Sequence, residues 1–107
     1  MSNSAESDKL TGKQVRFLRG LAHNKRAHVI IGGDRVNEAV IGHVDRELET
    51  HELIKVRVTD GAKAEMAGIA SALCEGTGAH LAQKIGHTLV LYRARKDDDP
   101  TIRLPRR

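Results

Sequence analysis

Residues 28–59 read HVIIGGDRVNEAVIGHVDRELETHELIKVRVT, and the order of periodicities along them decides the fold. Residues 28–31 (HVII) are a short apolar run suited to a buried strand. The run enters Gly32-Gly33-Asp34-Arg35 and then a segment, about 36–50, in which Val36, Val40, Val44 and Leu48 recur every fourth residue. That spacing predicts a helix with one apolar stripe. Residues 53–59 (LIKVRVT) alternate apolar and basic after Ile54, which predicts a strand with one wet face. Strand, helix and strand in this order form a β-α-β crossover, the unit of a parallel pair.

Toward the N-terminus, residues 1–9 are polar, small and charged and are expected to form a disordered lead. Leu10 and Thr11 then open a helix. Thr11 and Gln14 make a T-x-x-Q capping box, with Leu10 placed where a hydrophobic staple begins. On a helical wheel Val15, Phe17, Leu18, Leu21 and Ala22 share one face, and Lys13, Arg16 and Arg19 fall on the other. Toward the C-terminus, Asp60-Gly61 is a turn and residues 62–75 are a third helix, with Met66, Ile69, Ala70, Leu73 and Cys74 inward. Gly76 and Gly78 are placed to end it. Strands over 79–85 and 88–93 are separated only by Gly86-His87, which suits a two-residue hairpin turn. The stretch 97–107, with three acids and two prolines, is expected to be a loosely attached tail. The expected architecture is a single α/β domain over residues 10–96, ordered α-β-α-β-α-β-β. Two crossovers give a parallel core and the closing hairpin adds an antiparallel member, making a mixed four-stranded sheet with helices packed on it.

Composition narrows the function classes. Of 107 residues 39% are apolar, yet Phe17 and Tyr92 are the only aromatics, so the core must be aliphatic and aromatic stacking platforms for bases are scarce. Cys74 is the only cysteine, which rules out an internal disulfide and fits a reducing, cytoplasmic setting. No window is apolar enough to cross a bilayer, and the first residues lack the apolar core of a signal peptide, so no membrane role is expected. The histidines His23, His28, His43, His51, His80 and His87 show no zinc-type spacing, so neither a metal nor another cofactor is expected. No Ser-His-Asp order, acid pair, GxGxxG or GxxxxGK[ST] is present, and Cys74 faces inward. No catalytic residue is expected, and the chain does not read as an enzyme.

Charge is sorted into blocks. Residues 11–35 carry six bases (Lys13, Arg16, Arg19, Lys25, Arg26, Arg35) against Asp34 alone. Residues 36–52 carry five acids (Glu38, Asp45, Glu47, Glu49, Glu52) against Arg46, and residues 77–96 carry Lys84, Arg93, Arg95 and Lys96 with no acid. The net charge of +4 and pI near 9.6 favour a polyanionic partner. Gly32 and Gly33 sit between a strand and a helix N-terminus, where backbone N–H groups and the helix dipole favour an anion, although a glycine pair also simply makes a tight connection. Basic charge with few aromatics predicts contacts to phosphates and 2′-hydroxyls of a structured RNA, recognised by shape.

Four segments carry a family resemblance: LTGKQVRFLRGLAH (10–23), residues 28–58, IGHTLVLYR (85–93) and IRLPRR (102–107). Together they resemble the YhbY-type CRM domain (chloroplast RNA splicing and ribosome maturation) of bacterial stand-alone RNA-binding proteins. HELIKV and the G-x-T-L-V-L-Y-R ending are its most specific parts. The resemblance implies a fold similar to the C-terminal domain of bacterial translation initiation factor three. It also implies RNA binding and a part in ribosome biogenesis, through association with precursors of the large ribosomal subunit and their rRNA. The loop after the family's first strand usually reads GxxG, an RNA-contacting turn similar to that of KH domains. Here arginine stands at the last glycine position, so the loop's role passes to Gly32 and Gly33, with Arg35 as a phosphate partner. The expected RNA-contacting set is Lys13, Arg16, Arg19, Lys25, Arg26, Gly32, Gly33, Arg35, Lys84 and Arg93, on a monomer. An alternative is a protein-interaction module that docks on ribosomal proteins through its acidic second helix.

Overall fold

The computed structural model describes residues 10–32, 36–59, 65–94 and 102–105. The expectations for residues 1–9, for Gly33 and Arg35, and for most of the tail lie outside these residues.

Helix α1 spans Gly12–Ala22. Its capping box forms as the sequence predicts: Gln14 N–H donates to Thr11 Oγ1 (3.2 Å), and Thr11 N–H donates to Gln14 Oε1 (3.0 Å). Strand β1 covers Val29–Ile31, and α2 covers Glu38–His51. Asn37 begins α2, its side chain accepting the Val40 N–H at 2.9 Å. Strand β2 (Leu53–Val58) follows after the single residue Glu52, which turns the chain at φ 65°. A non-glycine residue there is strained by roughly 1 kcal/mol. The carboxylate and carbonyl of Glu52 are both used, accepting the N–H groups of Ile102 (2.8 Å) and Arg93 (2.9 Å). Helix α3 (Met66–Thr77), β3 (His80–Ile85) and β4 (Thr88–Tyr92) complete the order.

Gly78 ends α3 at φ 78° and Gly86 turns the hairpin at φ 55°, as positions that favour glycine. Gly76 has a different job from the one its spacing suggests. It lies inside α3, where an added Cβ would stand 2.9 Å from Ile41 Cδ1, so its lack of a side chain lets α2 approach.

The sheet is mixed, in the order β1-β2-β4-β3. Strands β1 and β2 are parallel, while β4 pairs antiparallel with both β2 and β3. The closing hairpin therefore inserts β4 between β2 and β3, and among the described residues the only parallel pair is β1–β2. The expected parallel core is narrower than the crossover count implies, because the second crossover steps over one strand position.

Each face of the sheet has its own core. Ile54, Val56, Val58, Leu89 and Leu91 point to the side covered by α2 and α3, against Val44, Leu48, Met66, Ile69 and Leu73. Leu53, Val90 and Tyr92 point to the other side, where they meet Leu18 and Ala22 of α1. Helix α1 rests on the line Gln14, Leu18, Ala22, so the margins of its apolar face stay out: Phe17 and Leu21, read as inward, are 38% and 40% exposed. Within the tail, the described residues 102–105 touch the domain. Ile102 and Leu104 pack against the α1-side core, and Gln14 Nε2 donates to the Pro105 carbonyl at 3.0 Å.

Candidate nucleic-acid interface

Helix α1 covers only half of its side of the sheet. The registers Ile30↔Arg57, Arg57↔Thr88 and Ile85↔Thr88 place Ile30, Arg57, Thr88 and Ile85 in one row across all four strands. The next row on that side runs Lys55, Val90, Gln83. Beyond it, Leu53 and Tyr92 lie under α1. Thr88 and Ile85 of the outer row, with Lys55, Val90 and Gln83 of the next, form the floor of a groove of about 630 Å³, walled by Arg16, Arg19, Gly20 and His23 from α1; Ile30 and Arg57 continue the outer row beyond it. Among the described residues no acid lines it.

Each basic group has a structural reason for its place. Arg16 and Arg19 lie on the flank of α1 away from its buried line and are exposed. Lys55 lies on the wet face of β2, and its Nζ donates to the Lys25 carbonyl at 2.9 Å. That bond holds the exposed loop carrying Lys25 and Arg26 beside the groove. At the far end of β1, Gly32 is exposed beside β2, where Thr59 donates its N–H (2.9 Å) and its hydroxyl (3.2 Å) to the Ile31 carbonyl. The hairpin closes against the same end, with Val58 N–H donating to the His87 carbonyl at 2.8 Å. Gly32, the hairpin and the outer row of the sheet are thus neighbours.

Three expected contact residues stand elsewhere. Lys13 is exposed on α1 but does not line the groove. Lys84 pairs with Leu89, whose side chain is in the α2–α3 core, and it lines a shallow pocket with Ser71 and Cys74 on the opposite face. The cause is an irregularity between Leu81 and Gln83 that adds one residue to β3 and reverses the alternation beyond it. Arg93 is 9% exposed and internal. Its guanidinium donates to the Asp45 and Glu49 carboxylates, to the Asp45 carbonyl and to the Thr77 carbonyl, tying α2 and the end of α3 to the sheet. The same pairing engages two acids of α2. Glu47 lies near His43 and His51, at 3.9 and 3.6 Å. The acidic helix therefore presents less free charge than its sequence suggests.

Lys55, Arg57, His23, Gln83, Thr88, Ile30 and Ile85 were not singled out by sequence reasoning. The alternation in LIKVRVT marks Lys55 and Arg57 as water-facing, but only the strand order shows what lies beside them.

Burial pushes the Cys74 thiol up, which suppresses the thiolate. Burial, then the charge of Glu52, pushes Tyr92 up. Among the described residues no three of His, Cys, Asp and Glu converge as a metal site, and no helix is long and apolar enough to cross a membrane.

His28 has a structural role at the edge of the groove. Its Nδ1 accepts the Lys55 N–H (3.2 Å), its own N–H donates to the Lys55 carbonyl (2.8 Å), and its ring lies 4.7 Å from that of His51. Burial first, then His51, Lys25 and Lys55, lower its pKa from 6.5, with Glu47 opposing. The unfolded chain therefore binds the proton at higher pH than the folded one. The stabilisation is full above 6.5 and is lost as pH falls through the lowered value. Thermal unfolding at about pH 7.5 and about pH 5.5 should show a larger acid loss in the native protein than in His28→Asn, which keeps an acceptor without titrating. Equal losses in both proteins would count against this role.

Relatives agree with the fold. A model of the CRS1/YhbY (CRM) domain matches residues 10–93. An "RNA-binding protein" of Haemophilus influenzae is 40% identical over 98 residues, covering 92% of this chain and 97% of its own. The Bacillus subtilis "Probable RNA-binding protein YqeI" is 41% identical over 96 residues, covering 90% of this chain and 99% of its own. The solution structure of SAV1595 from Staphylococcus aureus matches with a TM-score of 0.77 at 43% identity, covering 90% of this chain and 99% of that one. The capped basic helix, the strand bearing Lys55 and Arg57 and the closing hairpin all fall inside the matched span, and the chain belongs to the CRS1/YhbY (CRM) domain family.

Proposed function

We propose that this chain is a non-catalytic RNA-binding protein that acts on structured rRNA of the large ribosomal subunit precursor, in the cytoplasm and as a monomer. The observation that carries the reading is the groove in which Arg16, Arg19 and Lys55 converge over the sheet, with no acid among the described residues that line it. Backbone phosphates meet such a surface through charge-assisted contacts, and their affinity is released by salt. The names of the relatives support RNA as the partner. The ribosomal target rests on the family resemblance of the segments quoted above. Lys25, Arg26 and Gly32 extend the contact surface along the groove's margins, and Gly33 and Arg35 are proposed as further contacts. Docking on ribosomal proteins through α2 is the weaker alternative, since Asp45 and Glu49 are engaged by Arg93.

The experiment is gradient sedimentation of a cell lysate at low and high salt. The protein should travel with immature large subunits at low salt and move to the top of the gradient at high salt. A protein found at the top in both conditions would overturn the ribosomal part of the proposal.

A further inference from the structure

We propose that the open rows of the sheet hold unpaired nucleotides of the bound RNA, with bases lying on Ile30 and Ile85. Phosphates are held by Arg16, Arg19 and Lys55. The inference rests on the RNA-binding reading and narrows it to unpaired segments within a structured RNA.

The first observation is the pair of isoleucines. Ile30 and Ile85 are 65% and 59% exposed, at opposite ends of one row, with Arg57 and Thr88 between them. Single exposed apolar residues are ordinary, but two large aliphatics bracketing an exposed arginine, with Lys55 in the next row, form a mixed surface that fits a partner both anionic and apolar. A duplex offers phosphates and sugars on its outside and hides its base faces. An unpaired nucleotide offers both a phosphate and an apolar base face.

The second observation is shape. The groove of about 630 Å³ falls within the roughly 300–1,000 Å³ of small-ligand pockets, a size for one or two nucleotides rather than a helix. No aromatic lines it, so stacking falls to guanidinium planes and aliphatic faces, which the groove supplies through Arg16, Arg19 and Ile85. Gln83 and Thr88 add an amide and a hydroxyl to the same lining, where a base edge needs donors and acceptors.

The test compares two RNAs by fluorescence anisotropy at fixed salt with the full chain. One is a perfect duplex of about 16 base pairs, the span read by shape-recognising domains. The other is the same duplex with a bulge of a few unpaired nucleotides. The bulged RNA should bind about tenfold more tightly, as expected for one or two buried bases. The double variant Ile30→Ser, Ile85→Ser should lose about five- to tenfold for the bulged RNA and remain within about twofold for the duplex. Both positions are exposed, so an unchanged thermal midpoint confirms that the variant is folded. Equal affinity for the two RNAs, or a bulge preference that survives the double variant, would overturn the inference and leave RNA binding standing. Failure of both RNAs to bind at low salt would overturn the RNA-binding reading itself.

Discussion

The triple variant Arg16→Ala, Arg19→Ala, Lys55→Ala should lose roughly 100-fold in RNA affinity at about 0.1 M salt, with a salt dependence shallower by about two to three contacts. The three cations converge on one groove, and among the described residues no acid lines it. Each phosphate contact releases condensed counterions, and the slope of log affinity against log salt falls by a little under one per contact removed. Arg16 and Arg19 are exposed, and the Lys25 carbonyl released by Lys55 lies in an exposed loop that water reaches, so the fold should survive. Lys84→Ala is the control. It removes a single positive charge from the opposite face of the sheet and should change affinity by less than about twofold. Titrations of the three proteins across a salt series would decide the matter. A triple variant that binds like the native protein would remove this groove from the contact surface.

Arg93→Met should destabilise the fold by about 2–3 kcal/mol, roughly 10 °C in thermal midpoint for a domain of this size. Breaking a buried ion pair from one side commonly costs about 3–5 kcal/mol because the remaining charge is left without a partner. The cost here is smaller, since the Asp45 and Glu49 side chains are 47% and 48% exposed and water can serve them. The Thr77 carbonyl, by contrast, loses its guanidinium partner in a buried place. Methionine conserves much of the apolar stem, which isolates the loss of the guanidinium. Asp45→Asn and Glu49→Gln alone should each cost less, because the other carboxylate still holds the arginine. RNA affinity measured well below the melting range should stay within about twofold, since Arg93 faces inward. A folded Arg93→Met protein with tenfold weaker RNA binding would return this residue to the contact surface.

Local chemistry was legible in the sequence where its partners lie close in the chain. The capping box of α1 needs only Thr11 and Gln14, three residues apart, and it forms as read. The hairpin at Gly86-His87 and the four-residue stripe of α2 are likewise short-range facts. The groove was legible in part: the basic flank of α1 and the wet face of β2 could both be seen. Their meeting could not, because it depends on β4 entering between β2 and β3. Lys84 shows how little is needed to defeat an alternation argument, since one extra residue in β3 moves it to the other face. Arg93 looked like a surface base in an acid-free block because its acids lie 48 and 44 residues away. Phe17 and Leu21 show that an apolar wheel face can be wider than the strip a flat sheet covers.

The bond between Gln14 and the Pro105 carbonyl spans 91 residues, and it sets an order of assembly during synthesis. Helix α1, with its 11 residues, leaves the ribosome early but is too short to hold its shape alone. The strands it rests on, β3 and β4, emerge much later, and the segment that binds Gln14 and packs beside Leu18 emerges later still. A nascent chain therefore carries the arginines of the groove without the floor beneath them. Competence for the nucleic acid should arrive only when the closing hairpin supplies that floor, so a chain lacking it should not capture RNA through this site.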